Sequence, residues 1–62
     1  MTSKQIIKLL LQNGFVLVPD EGKGSHRVYR NPQTGKRTVV PYHSGDLKKG
    51  TVQAILKQAG LK

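Results

Sequence analysis

A chain of 62 residues has room for one small domain, 1–62, and for a core too modest to serve more than one site. Cysteine is absent, which excludes disulfides, a thiol nucleophile and thiolate metal ligation. Eleven lysines and arginines oppose only Asp20, Glu21 and Asp46, a formal net charge of +8 with a pI near 10.4. Such a balance points to nucleic acid, because each cation set against a phosphate releases condensed counterions. An anionic membrane surface, an acidic protein or a merely basic surface are the competing explanations. No apolar run approaches the roughly 20 residues of a membrane span and no signal-type leader is visible, so a soluble, cytoplasmic protein is expected.

Thr2 followed three residues later by Gln5 predicts a capping box and a helix start. Ile6, Ile7, Leu9, Leu10 and Leu11, spaced by Lys4, Gln5, Lys8 and Gln12, form a broad apolar stripe of helical period, and Asn13-Gly14 ends it. Residues 15–19 favour a first strand, and Asp20-Glu21-Gly22-Lys23-Gly24 an exposed turn. A second strand is expected over 25–30 and a turn over 31–35, with a third strand at Arg37–Pro41. Beyond the loop at Tyr42, His43, Ser44, Gly45 and Asp46, the residues Val52, Ile55, Leu56 and Ala59 fall on one helical face. Gly60 suits the left-handed position after that helix, with Leu61 folding back onto Leu56. The order α-β-β-β-α predicts an α+β domain with both helices on one face of a three-stranded antiparallel sheet and the other face wet.

Three features in this order draw a comparison: Gly24-Ser25-His26 on a glycine-flanked turn into the second strand, a third strand ending in Pro41, and Lys49-Gly50-Thr51 leading into Ala-Ile-Leu-Lys-Gln-Ala-Gly-Leu at 54–61. Together they resemble the HicA toxin family over nearly the whole chain. The resemblance implies a fold similar to double-stranded-RNA-binding domains, ribonuclease activity on messenger RNA, translation arrest, and a cognate HicB antitoxin covering the His26 face. It also maps the family's essential histidine onto His26.

The residues can be weighed apart from that likeness. A metal-free ribonuclease needs a base for the ribose 2′-OH, cations for the phosphorane charge and a proton for the leaving 5′-oxygen. Histidine suits the first role, since an unperturbed imidazole titrates near about 6.5 and can take and return a proton around neutrality. His26 is the candidate base; a strand-initial residue bonded to a neighbouring turn is the plainer reading. Strand parity puts His26 with Val28 and Arg30, opposite Ser25, Arg27 and Tyr29, and leaves open which face is wet. Ser25 either orients the imidazole or simply begins the strand.

Lys23, Arg27, Arg30, Lys36 and Arg37 are the expected phosphate-binding patch, most of them steering from the surface. Lys48 and Lys49, where backbone amides open the second helix, are a second expected RNA contact. His43 is either the leaving-group acid or an ordinary loop residue. Tyr29 and Tyr42 either stack on unpaired bases or fill the core, with packing the stronger claim on Tyr29. The acidic residues and histidines show no ligand spacing, so neither metal nor cofactor is expected. Two other readings stand beside the nuclease. One is a non-catalytic RNA-binding module of double-stranded-RNA-binding type, and the other an interaction module whose basic face meets an acidic protein.

Overall fold

Thr2 caps the first helix as its spacing predicts. Its hydroxyl accepts from the Gln5 amide while the Gln5 side chain accepts from the Thr2 amide, a complete capping box. The computed structural model describes residues 1–19, 22 and 24–62, so the turn expected at 20–24 lies partly outside the described residues. The elements are α1 (Ser3–Gln12), β1 (Val16–Val18), β2 (His26–Arg30), β3 (Arg37–Pro41) and α2 (Lys49–Gln58). This is the α+β order read from the sequence, with the first strand trimmed at both ends.

Both helices end in the same way. Gly14 and Gly60 take positive φ, and the amides of Phe15 and Leu61 reach back to the carbonyls of Leu10 and Leu56. Each is a Schellman closure that satisfies orphan carbonyls of the last turn.

The sheet has the order β1-β2-β3 and is antiparallel throughout. His26 lies opposite Pro41 and Arg30 opposite Arg37, so β2 and β3 are in full register across the 31–36 turn. Asn31 builds that turn from the inside. Only 5% exposed, it accepts from the amides of Gln33 and Thr34 and donates to the Asn13 carbonyl.

The core lies between the helices and one face of the sheet: Ile6, Leu10, Phe15, Tyr29, Val40, Leu47, Ile55 and Ala59, edged by Ile7, Val52, Leu56 and Leu61. Tyr29 belongs to it, so Arg27 shares the helix-side face, while His26, Val28 and Arg30 share the other. That answers the parity question, but the far face is not wet throughout. Val28 is buried there: Gly22, at φ +89, comes so close that a Cβ on it would meet Val28 at 3.4 Å and the His26 carbonyl at 2.6 Å. Only a glycine allows the approach.

Helix direction matters most for function. The Ser3 hydroxyl at the start of α1 donates to the Pro41 carbonyl at 2.7 Å, and Asn13 at its end meets Asn31. Toward the end of α2, the Thr38 hydroxyl donates to the Gln58 side chain at 2.9 Å, and Gly60 lies against the Lys36 stem. Both helices therefore run from the His26–Pro41 end of the sheet toward the 31–36 turn. No described helix is long and apolar enough to cross a membrane.

With no disulfide, a domain this small draws only about 3–5 kcal/mol from its core. Truncating fully buried Leu10 to alanine is expected to cost about 2–5 kcal/mol. The Leu10→Ala variant should therefore lose most of its cooperative thermal transition in circular dichroism at room temperature.

Candidate functional site

Everything at the His26–Pro41 end is held by backbone ties across long sequence separations. The Tyr42 amide donates to the Ser25 carbonyl at 2.6 Å, continuing the β2–β3 ladder one pair past the strands. The His43 amide donates to the Ser3 hydroxyl at 3.3 Å, fastening the same loop to α1. Met1 and Thr2 pair with the loop in turn, through the Leu47 amide to the Met1 carbonyl and a bridge between Thr2 and Asp46. These contacts gather the first residues, the start of β2 and the 42–48 loop into one surface.

His26 stands exposed on that surface, and among the described residues its ring has no hydrogen-bond partner. It lines a shallow groove of about 250 Å³ together with Arg27, Gly22, Gly24 and the end of β1 at Leu17, Val18 and Pro19. Ser25 is exposed as well. Its carbonyl is used by Tyr42, and its hydroxyl has no partner among the described residues, so nothing here makes it orient His26.

The guanidinium of Arg27 lies 3.9 Å over the Tyr42 ring, a cation–π stack that joins β2 to the loop beyond β3. Tyr42 also lines a second cavity, about 320 Å³, together with Thr2, Lys4, His43, Ser44 and Gly45. The His43 Nδ1 is 2.8 Å from the Ser44 carbonyl. A carbonyl only accepts, so Nδ1 carries the proton and Nε2 is left free to bond elsewhere.

The charge at this end is nearly all positive. Neither helix has an acidic residue in its first turn, so the positive ends of both dipoles point to this end; Thr2 caps α1, whereas the amides opening α2 have no side-chain cap. Lys4, Arg27, Lys48 and Lys49 add four cations. Asp46 is the only acid there among the described residues; it meets the Met1 ammonium at 3.9 Å while 80% exposed, too far and too solvated to cancel much.

The expected phosphate patch is divided by the fold. Arg27, Lys48 and Lys49 lie at the histidine end, whereas Arg30, Lys36 and Arg37 lie at the turn end, roughly 13 Å further along the strands. The Lys36 stem is laid over Gly60. Lys23 is outside the described residues. Tyr29 is core, as packing required, and Tyr42 is half-buried with its ring at the site. Lys4 escaped sequence reasoning because its neighbour Tyr42 is 38 residues away; the basic face of α1 was its only signal. No group of three described histidine or acidic residues is placed to hold a metal ion.

Two layers of this order on an antiparallel sheet define an α+β fold like that of double-stranded-RNA-binding domains. The family model for the HicA toxin of bacterial toxin-antitoxin matches residues 3–61, and the chain belongs to that family. It is thus the toxin of a toxin-antitoxin pair, and membership implies an antitoxin partner. No curated protein gives a significant match.

Ser3 is the residue on which this surface hangs, 1% exposed with its hydroxyl committed at both ends. The Ser3→Ala variant is expected to lose about 1–3 kcal/mol and to speed hydrogen exchange at the His43 amide, while β2–β3 amides change only with global stability.

Proposed function

We propose that this toxin is a metal-independent endoribonuclease that cleaves messenger RNA and so arrests translation, with His26 as the general base. The observation that carries the reading is the placement of His26. Its ring is solvent-facing and, among the described residues, without a hydrogen-bond partner, in a groove shared with an arginine at the end of the sheet where both helix N-termini converge. An RNA strand drawn to that end by charge would lay a phosphate beside Arg27 and a ribose beside His26.

His26 takes the proton of the 2′-OH, and the 2′-oxygen attacks the adjacent phosphorus as the bond to the 5′-oxygen breaks. The products are a 2′,3′-cyclic phosphate and a 5′-hydroxyl, the leaving oxygen taking a proton from water or from protonated His26 itself. Positioned proton transfer of this kind contributes about 10²- to 10⁴-fold. Arg27, aided by the amides and lysines opening α2, stabilises the charge that develops on the phosphorane. His43 lines the second cavity and not the His26 groove, which argues against it as the leaving-group acid. The antitoxin partner is then a HicB-type protein that blocks the His26 end by covering it. A non-catalytic RNA-binding module is the second reading, favoured by the lack of any group orienting the His26 ring among the described residues.

The test uses end-labelled single-stranded RNA in EDTA. The parent should yield cyclic-phosphate ends and the His26→Ala variant should lose at least about 10²-fold in rate while keeping RNA affinity; an all-2′-deoxy substrate should survive both. Equal cleavage by parent and variant, or binding without cleavage by either, would transfer the function to the binding module.

Salt dependence separates the two ends of the sheet. Changing Lys48 and Lys49 together to glutamine is expected to flatten the slope of log affinity against log salt by about 0.7 per lost contact on single-stranded RNA. The Lys36→Gln change at the far end should leave that slope nearly unchanged.

A further inference from the structure

The cavity beside the Arg27–Tyr42 stack is used by nothing in the proposed cleavage, and its walls are unlike those of the His26 groove. Tyr42 is one of its walls, and the Arg27 guanidinium covers one face of the Tyr42 ring. Lys4 brings a cation to the rim, and His43 brings a ring nitrogen left free because Nδ1 is engaged with the Ser44 carbonyl. Thr2 does not compete, since its hydroxyl and amide are closed within the capping box. An aromatic wall, a cation at the mouth and a single free polar nitrogen are what an unpaired nucleobase with its phosphate requires. At about 320 Å³ the space admits a planar base.

Arg27 touches both compartments, lining the groove that holds His26 and stacking on the ring that walls the second cavity. Through that stack the groove holding His26 adjoins the cavity lined by Tyr42.

We propose that the cavity formed by Tyr42, Lys4 and His43 is a nucleotide subsite that takes one unpaired base of single-stranded RNA, next to the phosphate held at Arg27. The proposal rests on the ribonuclease reading for its substrate class, and it adds a requirement that strand charge alone does not impose. The base must be free to leave its stack, so a continuous duplex is refused at this subsite. Tyr42 supplies the stacking face, Lys4 the phosphate contact and His43 Nε2 a hydrogen bond to the base edge.

The experiment measures binding in the non-cleaving His26→Ala background, with a fluorescent single-stranded RNA and a blunt duplex of the same length. Tyr42→Leu is expected to weaken single-strand binding about tenfold or more while leaving duplex binding within about twofold. Tyr42→Phe, which keeps the ring, should restore it. A second measurement starts from the protein with Tyr42 intact: RNA carrying 2-aminopurine should show quenched fluorescence on binding, with the quench removed by Tyr42→Leu and kept by Tyr42→Phe. Equal losses on both RNAs, no loss on either, or no quench in the protein with Tyr42 intact would overturn the subsite. So would Tyr42 ring signals that move in NMR with a bound protein partner and not with RNA. Cleavage that proves independent of His26 would leave the strand-selective difference standing, and a vanished difference would leave His26-dependent cleavage standing, so the two ideas fall separately.

Discussion

The Ser3 hydroxyl is small, buried and doubly committed, donating to the carbonyl of Pro41 and accepting from the amide of His43. Through it the first turn of α1 is tied to the last residue of the sheet and to the loop beyond. A buried hydroxyl with no partner would be costly, so this geometry is strongly preferred once the helix packs. The consequence is direction. With α1 anchored at the Pro41 end, and α2 held at its far end by Thr38, Gln58 and the Lys36–Gly60 contact, the two helices point their N-termini the same way.

That alignment sums where an opposed packing would cancel. Two helix N-termini, neither with an acid in its first turn, face the end that also holds Arg27, Lys4, Lys48 and Lys49. Bringing like charges together works against folding, and a chain of this size has little stability in reserve. The cation–π stack of Arg27 on Tyr42 relieves part of this by giving one guanidinium an attractive neighbour. A negatively charged partner bound at this end would relieve far more.

Val28 shows how a local exception serves the site. It lies on the sheet face away from the helices, yet it is buried because Gly22 folds back against it and against the His26 carbonyl. Gly22 is thus pressed onto the strand that begins with His26, and with Gly24 it lines the groove, in which His26 is solvent-exposed.

Much of this was legible in the residues themselves. The capping box at Thr2 and Gln5, the glycine closures at Gly14 and Gly60, the turn at 31–35 and the apolar periodicity of both helices depend on neighbours within a few positions, and they formed as read except at Leu11, which the stripe included and which is 52% exposed. The three-strand order followed from short turns, and the histidine worth testing stood out beside its glycine. Other features are set by contacts across 15 to 40 positions. These are the face of the sheet on which His26 lies, the splitting of the cations between two ends, and the meeting of Arg27, Tyr42, Lys4 and His43. Local spacing determines which elements form, because backbone hydrogen bonding and apolar periodicity act over one or two turns. Which elements then face each other is decided only when one apolar layer is packed. A polar side chain's partners depend on that packing, so the site, unlike the helices that build it, had to wait for the tertiary structure.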